Sequence, residues 1–194
     1  MKVAIVKYNA GNVQSLTFAL NRLGVEPILS DDPEFLKSAD KVIFPGQGEA
    51  SSAMRSLKEK GLDEVLKSLK QPFLGVCLGM QLMCESSEEN DTECLGIIPQ
   101  KVLRFDSSDV KVPHMGWNDI HQLKSPIMNG ISEGDYLYFV HSYYVPVCEE
   151  TVAVAEYPMA FSAALNKNNY YAIQPHPEKS AEAGMKLLDN FLKL

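Results

Sequence analysis

No stretch of this chain approaches the roughly 20 consecutive apolar residues that a helix needs to cross a bilayer, so a membrane span is not expected. The opening residues, MKVAIVKY, run straight into a strand-like segment. They lack the longer apolar stretch and small-residue cleavage site of a secretory signal, and the protein is expected to be cytoplasmic. Basic charge is also short: 18 Lys and Arg face 25 Asp and Glu, a formal charge of −7. Nucleic acid is bound through clustered basic side chains, so it is not an expected partner. Cys77, Cys84, Cys94 and Cys148 include no CxxC pair, and His114, His121, His141 and His176 show neither HxxxH nor HExxH spacing. Zinc and dithiol redox chemistry are therefore not suggested, and no metal or other cofactor is expected. A phosphate-cradling Gly-rich loop with a lysine is missing too.

What is present suits a globular α/β protein. The 194 residues are 45% apolar and 22% charged, enough for one domain spanning 1–194 with a sizeable core. Apolar runs at Lys2–Lys7, Val25–Leu29, Lys41–Phe44 and Pro72–Val76 read as strands. Helical spacing runs between them: Val13, Leu16, Leu20 and Leu23 stopped by Gly24; a short helix capped by Asp31 or Asp32 with Pro33 in its first turn; and Glu49–Leu69 interrupted near Gly61. Leu78–Glu85 also reads as helix. Alternation of this kind implies parallel strands joined by crossovers, with helices on both faces. The second half is richer in strands (Val102–Phe105, Tyr136–Val140, Thr151–Ala155, Phe161–Leu165 and Tyr170–Gln174), some joined by short turns that suit antiparallel pairing. The amphipathic segment Ala181–Leu194 closes the chain. The expected fold is a mixed, largely parallel sheet flanked by helices, with antiparallel strands in the C-terminal half.

The segment richest in chemistry is Pro72-Phe73-Leu74-Gly75-Val76-Cys77-Leu78-Gly79-Met80-Gln81. It reads as strand, Gly-x-Cys-x-Gly, helix: the layout of a nucleophile elbow with cysteine in place of serine. A sharp strand-to-helix turn lifts one side chain above the carboxyl edge of the sheet, and the two glycines leave room where a Cβ would strike backbone. The helix N-terminus favours a thiolate, and the N–H after the nucleophile can bind an oxyanion. On the motif alone, a buried cysteine in a Gly-rich turn is the alternative.

A thiol nucleophile needs a base, and the base an orienting group. His176 lies in Gln174-Pro175-His176-Pro177-Glu178-Lys179-Ser180, after the last expected strand, on a loop stiffened by two prolines, with Glu178 placed to orient its ring. His121 stands in a polar loop as a solvated side chain; His114 and His141 lack an adjacent carboxylate. Pro45-Gly46-Gln47-Gly48 reads either as a simple turn or as a loop offering a second oxyanion N–H.

Gly75–Gln81 joined to His176-Pro177-Glu178 resembles the class I, triad-type glutamine amidotransferases, a family of flavodoxin-like fold, over essentially the whole chain. Tyr8-Asn9-Ala10-Gly11-Asn12, Pro45–Gly48, Pro113-His114-Met115-Gly116-Trp117-Asn118 and Phe139-Val140-His141-Ser142-Tyr143 are similar to the glutaminase subunits of imidazole glycerol phosphate synthases within that family. The resemblance implies a Cys77–His176–Glu178 triad and oxyanion donors at Leu78 and at Gln47 or Gly48. It implies glutamine contacts at Gly46, Gly48, Gln81, Glu89, His141, Ser142 and Tyr143, the last three partly through backbone. It also implies a heterodimer with a (β/α)8-barrel cyclase subunit that receives ammonia and makes imidazole glycerol phosphate in histidine biosynthesis. Asn12, Trp117, Tyr138 and Lys179 match positions facing that partner, although Trp117 and Tyr138 also suit a core and Lys179 a solvated face. Two positions depart from the family: Pro175 replaces an aromatic residue, and Gln47 a small apolar one. A partner-binding scaffold, a stand-alone γ-glutamyl hydrolase and a paralogous amidotransferase acting on a surface-sugar precursor are the alternatives.

Overall fold

A computed structural model describes residues 1–9, 13–108 and 110–194. The first half alternates β1 (Val3–Val6), α1 (Val13–Arg22), β2 (Ile28–Ser30), α2 (Pro33–Ser38), β3 (Lys41–Phe44), α3 (Ala50–Glu59), α4 (Leu62–Ser68), β4 (Phe73–Val76) and α5 (Leu78–Leu82). The second half holds β5 (Cys84–Ser87), β6 (Thr92–Glu93), β7 (Ile98–Arg104), β8 (His114–Asp119), β9 (Tyr136–His141), β10 (Tyr143–Tyr144), β11 (Thr151–Glu156), β12 (Ala160–Lys167) and β13 (Tyr170–Ile173), and ends in α6 (Ala181–Leu192).

Seven strands form the main sheet, in the order β11-β12-β13-β4-β3-β1-β2. Pairing is parallel from β2 through β1, β3 and β4 to β13, and antiparallel from β13 through β12 to β11. The expected mixed, largely parallel sheet is what the chain forms. Because side chains alternate across a strand, β1 sends Ala4 and Val6 into one core and Val3 and Ile5 into the other. Leu36, Leu57, Leu62 and Leu66 from α2, α3 and α4 cover the first face. Leu16 and Leu20 from α1 and Leu187, Leu188 and Phe191 from α6 cover the second. Among the described residues no helix is long and apolar enough to cross a membrane.

Several boundaries differ from expectation for local reasons. The helix expected over Leu78–Glu85 stops at Leu82, and Cys84–Ser87 is instead a strand paired with β6 and β7. The carbonyls of Leu82 and Met83 accept N–H groups from Leu95, Ile97 and Ile98, so a distant segment replaces the next helical turn. The second strand starts at Ile28 rather than Val25, since the Val25 N–H turns back to the Leu20 carbonyl and Pro27 has no donor to give. The expected break near Gly61 is a left-handed residue (φ 65°) between α3 and α4. Asp32, not Asp31, caps α2, accepting the Glu34 N–H at 3.0 Å.

The last helix seats directly on the loop that follows β13. A Cβ built on Gly184 would lie 2.0 Å from the Pro177 carbonyl oxygen. Alanine in a helix interior normally stabilises by about 1 kcal/mol relative to glycine. Gly184→Ala is expected to reverse that sign and destabilise by about 1–3 kcal/mol through overpacking, read as a lower urea midpoint. A raised midpoint would show that α6 does not press on this loop.

Candidate active site

β3, β4 and β13 are neighbours and parallel, so their carboxyl ends open on one edge of the sheet. β4 delivers Cys77, β13 delivers the loop carrying His176, and β3 delivers Pro45–Gly48. Open parallel sheets bind ligands at this edge.

Cys77 has φ 54° and ψ −112°, a conformation that costs a non-glycine residue on the order of 1–3 kcal/mol. Its N–H is held by the Ile173 carbonyl at 2.8 Å. The flanking glycines make this turn fit: a Cβ on Gly79 would lie 1.9 Å from the Phe44 carbonyl oxygen, and one on Gly75 would lie 2.4 Å from Met83 Sδ. The Cys77 thiol is buried apart from a cleft and points toward the Val140 carbonyl at 3.8 Å.

His176 Nδ1 and Glu178 Oε1 are 2.9 Å apart, both side chains almost fully buried. Among the described residues His176 Nε2 has no hydrogen-bond partner, so it is the nitrogen left to exchange a proton in the cleft. Burial pushes the His176 pKa down, but the Cys77 sulfur and the Glu178 carboxylate outweigh it and lift it from 6.5 to about 10. The loop is clamped from outside: His176 N–H donates to the Tyr138 carbonyl at 2.9 Å, and Ser180 Oγ donates to the His176 carbonyl at 2.6 Å. Pro175, the departure from family pattern, falls between two used donors, Gln174 N–H to Ala163 and His176 N–H to Tyr138.

A cleft of about 450 Å³ gathers Gln47, Gly48, Cys77, Leu78, Gln81, Glu89, His141, Ser142, Tyr143, His176 and Lys179, together with Pro113 and Val140. Gly46 lies behind this wall, on a smaller cavity shared with Val76, His176 and Glu178. Glu89 Oε2 accepts the first N–H of α3, from Ala50, at 2.7 Å, and burial raises its pKa. The His141 ring is fully engaged: Nδ1 is 2.8 Å from the Tyr143 carbonyl and Nε2 is 3.0 Å from His114 Nδ1. A carbonyl accepts only, so His141 carries its proton on Nδ1 and His114 donates to it. Burial lowers the pKa values of His141 and His114 to about 3 and about 4, and both rings are neutral at pH 7. A ligand would meet residue 141 through its backbone. His121 is exposed and pairs with Asp119 and Glu133.

Of the expected interface residues, Asn12 lies outside the described residues. Trp117 is 52% exposed and meets Tyr138 edge-on with centroids 6.0 Å apart, which rules out a core role for Trp117. Lys179 lines the cleft and holds Nζ 5.9 Å from the centre of the Tyr138 ring. Gln174, at the end of an expected strand, comes to lie next to Cys77 only because β4 and β13 pair.

The glutamine amidotransferase class-I model matches residues 4–194. The chain belongs to the class I glutamine amidotransferase family. Within it, the chain is 57% identical over 196 residues to "Imidazole glycerol phosphate synthase subunit HisH" of Bacteroides fragilis strain YCH46, covering all of both chains. It is 44% identical over 200 residues to the HisH 1 subunit of Vibrio vulnificus strain YJ016, covering 100% of this chain and 98% of that one. A solved structure of PurLQS from Thermotoga maritima superposes with a TM-score of 0.74 at 18% identity, covering 99% of this chain and 97% of that one; it attests the fold alone.

The raised His176 pKa has a testable sign. Stability carried by its proton is complete below about pH 6.5 and is lost as pH rises through about 10. Glu178→Gln removes one of the two groups that raise the value. The His176 ring titration, followed by NMR, is expected to move to lower pH; the alkaline loss of stability still sets in near pH 6.5 but is smaller and is complete at a lower pH. An unmoved titration would show that Glu178 does not act on this ring.

Proposed function

We propose that residues 1–194 act as one glutaminase domain, the ammonia-producing subunit of a cytoplasmic imidazole glycerol phosphate synthase in histidine biosynthesis. The observation that carries the chemistry is a strained Cys77 sharing a cleft with a buried, Glu178-paired His176. The Cys77 thiolate attacks the side-chain amide carbon of glutamine. The oxyanion is received by the Leu78 N–H and by one from Gln47 or Gly48. His176, held as imidazolium by Glu178, gives its proton to the departing nitrogen, and ammonia leaves a glutamyl thioester. The neutral His176 then takes a proton from water, the hydroxide adds to the thioester, and collapse returns the thiolate and glutamate. Glu89, with one oxygen occupied by α3, has the other for the substrate ammonium. Gln81, Gly48 and the backbone of Ser142 and Tyr143 complete the glutamine pocket, with Gly46 supporting the loop that carries Gly48.

The curated relatives are named as subunits of a synthase. In this chain Met115 (62% exposed), Trp117 (52%) and Tyr136 (58%) stand out from β8 and β9, whose register sets Trp117 opposite Tyr138. Exposed aromatics grouped on one face suit a docking surface, which favours a partnered enzyme over a stand-alone γ-glutamyl hydrolase. The partner is a (β/α)8-barrel cyclase that receives ammonia unprotonated through a sheltered path, with Trp117, Tyr138, Lys179 and Asn12 at the contact.

Ammonia release is to be measured with the cyclase and its ribotide present. Cys77→Ala is expected to lower turnover by at least about 10³-fold, as loss of a covalent nucleophile does; equal release by both proteins would defeat the enzymatic reading. Trp117→Ala is expected to weaken partner binding about tenfold or more, the loss typical of a central aromatic, while leaving the fold intact by circular dichroism. High turnover without partner, unchanged on adding it, would remove the coupling.

A further inference from the structure

Gln174 is completely buried at the end of β13, two residues before His176. A sealed amide has to place one acceptor and two N–H groups, and which end faces which neighbour is decided by one fixed atom. The Tyr143 carbonyl oxygen can only accept, so Gln81 presents Nε2 to it, at 2.9 Å. The same Nε2 lies 3.0 Å from Gln174, and a donor there requires Gln174 to answer with Oε1. Gln174 Nε2 is thereby turned the other way, 3.7 Å from Cys77 Sγ. Flipping Gln174 would set two NH₂ groups against each other and an oxygen against the sulfur. The polarity that reaches the sulfur is thus set by a backbone carbonyl, through two amides that cannot turn over independently.

We propose that Gln174 is a catalytic residue: its Nε2–H, aimed by Gln81 and the Tyr143 carbonyl, donates to Cys77 Sγ and holds the sulfur as an oriented thiolate. The assignment rests on Cys77 being the nucleophile. Hydrogen bonds to an ionised acceptor are stronger than neutral ones, so this one strengthens as the sulfur loses its proton. It favours the attacking thiolate in the first half-reaction and the departing thiolate when the thioester breaks down. The Leu78 and Gln47 or Gly48 N–H groups serve the substrate oxygen; Gln174 serves the sulfur. This division leaves His176 Nε2 available to the leaving nitrogen. It also gives Gln81 a second duty, since the face it does not show to glutamine keeps Gln174 from flipping.

The test reads thiol reactivity on the isolated full-length chain and needs neither glutamine nor partner, so it stands apart from the glutaminase reading. Wild type, Gln174→Met (similar length, no donor) and Gln174→Glu (same shape, an acceptor in place of the donor) are alkylated with iodoacetamide across a pH series. The Cys77 and Cys148 peptides are then quantified by mass spectrometry, the partly exposed Cys148 serving as internal control. At pH 7, Cys77 is expected to react about tenfold more slowly in Gln174→Met, the scale of one lost hydrogen bond, and at least as slowly in Gln174→Glu. The midpoint of the profile should move to higher pH in both, with Cys148 unchanged. An amide that only fills space would alter melting temperature yet leave the Cys77 profile at its wild-type position, and that result overturns the proposal. Should Gln174→Met fail to fold, the near-isosteric Gln174→Glu decides alone. A shifted profile in a chain that does not turn over glutamine would support the Gln174 contact while refuting the glutaminase reading.

Discussion

The arrangement around Cys77 depends on how closely β4 and its following turn pack against the strands on either side. Cys77 occupies a backbone conformation that L-residues avoid. It is held because Gly79 lies so near the Phe44 carbonyl that no Cβ fits, and because Ile173 of the neighbouring strand takes the Cys77 N–H. Both contacts are with the two strands that carry the other parts of the site, β3 and β13. The strain that presents the sulfur is therefore sustained by the same pairing that brings Pro45–Gly48 and His176 to it. A chain of aromatic contacts, Tyr8 to Phe44 to Phe73 to Tyr170, with centroids 5.1, 5.8 and 5.4 Å apart, runs across these strands on one face and stiffens the set.

Charge in the cleft follows from what surrounds each histidine rather than from burial alone. His176 and His141 are both buried, and their pKa values are driven in opposite directions. His176 faces a carboxylate and a sulfur, each of which favours the imidazolium. His141 faces a carbonyl on one side and a second histidine on the other, so burial dominates and the ring stays neutral. One imidazole is thereby poised to carry a proton, while the other serves as a fixed post beneath the cleft floor.

Much of this could be read from the residues alone, because the decisive features are local. Gly75-Val76-Cys77-Leu78-Gly79 states its own turn, and His176-Pro177-Glu178 keeps the carboxylate within reach of its histidine whatever the rest of the chain does. The alternating first half declared a parallel sheet through its periodicity. What stayed hidden was set by distant segments. Cys84–Ser87 continues a helical pattern and becomes a strand only because residues 95–98 arrive to take its neighbours' carbonyls. His114–Asp119 carries a glycine and mixed polarity that blur strand alternation, yet it pairs with β9 over six residues. Gln174 looked like the end of a strand, since nothing in a linear sequence reports that residue 174 abuts residue 77.

β9 links the cleft to the exposed face. Its Val140 carbonyl faces the Cys77 sulfur, its Tyr138 carbonyl takes the His176 N–H, and the Tyr138 N–H donates to Ser180 Oγ at 2.8 Å, which in turn holds the His176 carbonyl. Cys77 and His176 thus both rest on one strand, and that strand's partner β8 exposes Met115 and Trp117. Packed interiors transmit small displacements rather than absorbing them. A displacement of Trp117 and Tyr138 would therefore reach Cys77 and His176 together. The exposed face of this ribbon and the wall of the cleft are two sides of the same strand pair, tied to Cys77 and His176 by the same few hydrogen bonds.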